Sequence, residues 1–129
     1  MWKAIIRSQK GQAMVELALL LPLLLLISGG IFEFGRIFHA YLVVTSASRE
    51  GARVAVVGGT YDDVRDRVIA SAPSLDAGSL NVLLEPENYG RGDMITVTVT
   101  YSVDLVVPLI SALLPDPFTI KAATTMRVE

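Results

Sequence analysis

Cysteine is absent from the 129 residues, and histidine occurs once, as His39. The first absence excludes a disulfide framework, a thiol nucleophile and cysteine-ligated zinc; the second removes most zinc and acid–base designs built on histidine. An excess of positive charge is also missing. Eleven Lys and Arg stand against 13 Asp and Glu, for a formal net charge of -2. With no basic patch large enough to neutralise several phosphates, no nucleic-acid partner is expected. No glycine-rich phosphate loop, Ser-His-Asp set, ligand cluster or acid–base carboxylate pair stands out, so neither an enzyme, a metal nor a cofactor is expected. What is abundant is apolar side chain: 52% of the residues are hydrophobic and only 19% charged. That is too apolar for disorder and unusual for a small soluble domain. At this length, one membrane anchor and one small domain are expected.

The apolar residues are concentrated near the start. MWKAIIRSQK carries Lys3, Arg7 and Lys10 and no acid, and residues 13–32 then run almost without a polar side chain. Twenty such residues in a helix cover about the 30 Å of a bilayer core. The basic leader predicts a cytoplasmic N-terminus, with everything after Arg36 on the far side of a bacterial inner membrane, in contact with lipid along the span. Pro22 inside the run removes one backbone donor, which membrane helices tolerate.

Glu16 is the exception in this run, because a carboxylate near the start of an apolar helix costs a few kcal/mol unless it reaches water, a proton or a partner. One reading places it one turn inside the interface, favoured by the helix dipole. A second treats the segment as a secretory signal ending at Ser28, Gly29 and Gly30. The third rests on spacing. Gly11-Gln12-Ala13-Met14-Val15-Glu16 sets a glycine after a basic leader and a glutamate five positions on, which resembles the processing site of type IV prepilins. That resemblance implies a cut between Gly11 and Gln12 by a membrane-embedded prepilin peptidase. It also implies that Glu16 pairs with the new amino terminus of a neighbouring subunit, fixing the stagger of packed helices in a low-dielectric setting. Gln12 stands where filament pilins often have a large apolar residue, and Leu17 where an aromatic is common, which argues against a major filament subunit.

From Ile31 onward the helical pattern continues without proline. Phe32, Phe34, Phe38 and Tyr41 gather where a membrane surface belongs, Glu33 and Arg36 are spaced to pair, and His39 reads as part of a solvated face. Ala40, Val44, Ala47, Gly51 and Ala55 form a small-residue stripe against which either the chain's own sheet or a neighbouring subunit's helix packs. Gly58-Gly59 ends the helix. Four blocks now stand in order: Gly11 to Leu17; Pro22; Phe32-Glu33-Phe34-Gly35-Arg36; and Ala47-Ser48-Arg49-Glu50-Gly51-Ala52-Arg53. Together they resemble the TadE-like family of tight-adherence pilus assembly proteins. The resemblance implies a minor pseudopilin without catalytic activity, processed by the prepilin peptidase and working with other pilins or pseudopilins and the inner-membrane assembly platform of a type IVc pilus. The alternative is an uncleaved, membrane-tethered extracytoplasmic binding module.

The remaining residues predict a small domain. Residues 61–70 read as a short amphipathic helix capped by Thr60, with Val64, Val68 and Ile69 inward and Asp62, Asp63 and Asp66 as surface acids rather than a cation site. Residues 80–85, 95–103 and 118–128 follow a period of two. Arg91-Gly92-Asp93 spells an integrin-binding tripeptide, but its residues are ordinary hairpin-turn choices. The connection 106–117 is apolar; it either folds over the sheet edge as core or offers surface to a partner subunit or the outer membrane leaflet. The expected chain is thus a leader at 1–11, a transmembrane and extended helix at 12–57, and an extracytoplasmic α+β domain at 60–129. In that domain the helices cover one face of a three-stranded antiparallel sheet.

Overall fold

A computed structural model describes residues 9–129 of the chain; the leader positions Lys3 and Arg7 lie outside the described residues. Helix α1, Gln9–Val56, is 48 residues long and passes through Pro22 without a break. At 1.5 Å per residue it extends about 72 Å. Its two halves differ in what they touch. Up to Phe32 it has no buried residue, whereas from Glu33 on it buries Ala40, Val44, Ala47, Ser48, Gly51, Ala52 and Ala55. The first half contains an 18-residue window with mean hydropathy 2.3, none of whose residues is buried, which makes α1 a candidate membrane span.

Helix α1 ends as its glycines predict. Gly58 adopts a positive φ of 89°, its N–H donates to the Ala55 carbonyl, and the Gly59 N–H donates to the Val54 carbonyl. This is a Schellman stop, in which the left-handed residue satisfies carbonyls that the helix would otherwise leave open. Helix α2, Tyr61–Ala70, starts at once. Thr60 accepts from the Asp63 N–H while the Asp63 carboxylate accepts from the Thr60 N–H, a reciprocal capping box. Val64 and Val68 are buried, so α2 lies with those side chains against α1.

Strands β1 (Leu80–Glu85), β2 (Met94–Val103) and β3 (Phe118–Arg127) form an antiparallel sheet in the order β1-β2-β3. Ile95, Val97, Val99 and Val103 of β2 and Ile120 and Ala122 of β3 are buried together with the stripe of α1 and with Val64 and Val68. The alternate residues form the other face, where the Thr96 and Thr125 hydroxyls bond at 2.8 Å and Thr98 sits between Leu83 and Ala123. The layout is α+β: a long N-terminal apolar helix, a short second helix and a one-sided sheet in two layers. Between β2 and β3 lies a third, short helix, α3 (Pro108–Leu113), with no buried residue. The apolar connection is therefore not core: its length is taken up by a short helix whose side chains are exposed or half-buried.

Candidate functional site

Residues singled out in the sequence fall at three levels of α1. At the first, Gly11 and Gln12 are inside α1, close to the first of the described residues. Gly11 is half-buried and Glu16 is exposed among leucines. No other charged residue follows Glu16 until Glu33.

The second level is the junction at Glu33. This side chain is only 2% exposed, and both its oxygens are occupied. Oε1 accepts from Arg36 Nη1 at 2.8 Å, and Oε2 accepts from the backbone N–H groups of Val106 and Val107 at 2.9 and 3.1 Å. Arg36 in turn donates through Nη2 to the Asp104 carbonyl at 3.3 Å. The pair expected from i, i+3 spacing forms, and it also ties α1 to the connection that leads into α3. A buried carboxylate is tolerable here because a guanidinium and two amides meet it. Just before the pair, Gly29 and Gly30 let α3 approach: a Cβ added at Gly29 would lie 3.3 Å from a Val107 methyl, and one at Gly30 3.8 Å from Ile110. His39, one turn beyond, is exposed and lies 3.2 Å from the Ser74 hydroxyl.

The third level is the Arg-Glu-Gly-Ala-Arg block. Gly51 is the point where three elements meet, since a Cβ there would fall 2.7 Å from Val68, 3.3 Å from Val97 and 3.4 Å from Val64. Ala52 is fully buried beside it. Glu50, 30% exposed, pairs with Arg67 of α2 at 2.9 Å and with Arg53 at 3.6 Å. The Arg67 hydrogen bond first, then the charges of Arg53 and Arg67, hold its carboxyl below the usual glutamate range. The Asp63 carboxyl is likewise lowered, by the amide and hydroxyl of Thr60. Arg49 and Arg53 face outward. One turn earlier, the buried Ser48 hydroxyl lies 2.7 Å from that of Thr124 on β3. The small-residue stripe is thus covered by the chain's own sheet and α2.

Sequence reasoning paired Glu33 with Arg36 but missed Val106, Val107 and Asp104 as their partners, along with Arg67 and Thr124. No local spacing connects residues that far apart; the one available signal was the lack of charge in the 105–115 connection. Among the described residues no three His, Asp or Glu side chains gather as metal ligands, and no buried side-chain polar atom lacks a partner. The second and third levels hold helices and the sheet together, while the first stands clear of the rest of the chain.

No curated protein and no solved structure matches this chain. One family model does, that of TadE-like protein, over residues 11–53. The match starts at the half-buried glycine of the first level and ends with the last arginine of the third, so it takes in Glu33, Arg36 and Gly51. Over those residues the chain is similar to the TadE-like family.

Proposed function

We propose that this chain is a minor pseudopilin needed to assemble a tight-adherence type IVc pilus, anchored in the inner membrane by the first half of α1 and presenting the sheet on the extracytoplasmic side. The likeness to TadE-like protein over residues 11–53 supports the coarser statement, a pilus-associated protein. The finer reading rests chiefly on one observation. A single continuous helix has one half bare and apolar and the other half sheathed by its own small domain. Such a helix offers neighbours a lipid-embedded flank for lateral packing and an outer domain for docking. Other pilins or pseudopilins and the assembly platform are the partners that this division of α1 suits.

In this reading a prepilin peptidase cuts between Gly11 and Gln12, and Glu16 then pairs with an amino terminus of an adjacent subunit. An uncut anchor carrying a binding module is the second reading. It is favoured by the fact that Gly11 and Gln12 lie within continuous helix, where the backbone is held in the helical hydrogen-bond ladder. Intact mass of the membrane-bound protein, with and without its prepilin peptidase, separates the two. A mature chain starting at Gln12 only in the presence of the peptidase is the expected result. An unprocessed terminus in both strains would overturn the pseudopilin reading in favour of the fixed anchor.

A further inference from the structure

Helix α3 does not belong to the core, yet its position is fixed. Val107 and Ile110 lie against Gly29 and Gly30, the last turn of the apolar run 13–32. If that run crosses the bilayer, its 20 residues account for about 30 Å, the whole hydrocarbon thickness, and Gly29 and Gly30 lie inside the outer edge of it. A segment packed against them must occupy the same depth. The composition agrees: between Asp104 and Asp116 there is no charged residue. Val106 and Leu113 are 70% and 78% exposed, and an apolar groove runs between α3 and the helix face carrying Ile31, Phe34 and Phe38.

Non-helical backbone in an apolar medium needs its polar groups satisfied from within the protein. The entry into α3 meets that demand for three successive amides. The Leu105 N–H donates to the Asp116 carboxylate, those of Val106 and Val107 donate to Glu33, and Pro108 has none to satisfy. The Ser111 hydroxyl is turned back onto the Pro108 carbonyl. An aqueous loop would leave these groups to water; here the chain supplies a buried carboxylate instead.

We propose that residues 105–114 form a second membrane-contacting element, dipping into the outer leaflet beside α1 with lipid acyl chains filling the groove. Glu33 and Arg36 are the hinge that holds it there. This rests on the reading of residues 13–32 as a membrane span, and the test separates the two.

The native chain has no cysteine, so single nitroxide labels can be placed by Leu20→Cys, Asp62→Cys, Leu109→Cys and Leu113→Cys in the full-length protein. All four positions are exposed, which spares the core. In vesicles of phosphatidylethanolamine and phosphatidylglycerol, collisions with oxygen report lipid and collisions with a water-soluble nickel chelate report water. The expected result is an oxygen-to-nickel ratio at positions 109 and 113 several-fold above that at 62 and approaching that at 20. A label at 113 as open to nickel as that at 62, with 20 in lipid, would overturn the proposal and leave the span standing. A label at 113 shielded from both reagents would mean a protein partner, such as a second copy, and would also overturn it. A water-exposed label at 20 would remove the span and this inference with it.

Discussion

Glu50 sits in the family-matched block yet spends its charge on α2, through Arg67, as well as on its own helix, through Arg53. Its folded-state carboxyl titrates below the usual glutamate range. The unfolded chain therefore binds the proton first as pH falls, and the stability contributed by the pair is complete above about pH 4.3, the ordinary glutamate value. It is lost as pH drops through the lowered folded value. Thermal unfolding of the detergent-solubilised protein between about pH 6 and pH 3 should show a steeper acid decline for the wild type than for Glu50→Gln. Equal slopes would mean that the pair is idle, as exposed ion pairs often are. Asp63, lowered by its capping box, keeps some acid sensitivity in both proteins. At this scale the sequence was readable where partners are three or four residues apart, as for Glu33 with Arg36 and Thr60 with Asp63. It was silent where they are not, because the Glu33 bonds to Val106 and Val107 span 73 and 74 residues.

Between elements, the periodicities translated well. The switch from a helical period to strict alternation marked α2 and all three strands, and Gly58-Gly59 marked the end of α1, because capping and alternation are local consequences of side-chain chemistry. The stripe from Ala40 to Ala55 was visible as a close-packing surface, but not its occupant, since small residues admit any backbone. Its partner turned out to be intramolecular, with Gly51 receiving Val68 and Val97. The α3 connection was left open between core and surface for a related reason: an apolar run of that length states a preference for burial without naming the medium. Glu33→Ala tests how α3 is held. The change strands two amides and a guanidinium, at about 1–3 kcal/mol for each buried group left unsatisfied. The unfolding midpoint of the solubilised protein should fall clearly, while Glu33→Gln, which keeps one acceptor oxygen, should fall less. Equal melting of all three proteins would mean that the Glu33 contacts to α3 carry no stability.

For the whole molecule, the division of α1 separates what holds the chain together from what it offers to others. All of its fully buried residues lie at Glu33 and beyond, and its contacts with α3 reach back to Gly29 and Gly30, so changes well before those glycines should leave folding alone and act on association. Glu16→Ala belongs to this class. With processing unchanged, it should sharply reduce surface pili in a strain carrying it as the only copy, counted by electron microscopy, whereas wild-type piliation would reduce Glu16 to an interfacial carboxylate reaching water. Overall architecture was legible because a bare apolar helix, a short capped helix and three alternating strands leave few ways to build one core.

Ser48 and the strand residue that meets its hydroxyl, Thr124, are 76 positions apart. A ribosome therefore delivers α1 long before it delivers β3, and the part of the stripe that β3 covers is bare throughout that interval. During synthesis the helix presents to any neighbouring helix the same inviting surface that its finished fold conceals. Strand β3 is thus the element that withdraws the rest of the offer, so that the time taken to reach it sets how long premature pairing can occur.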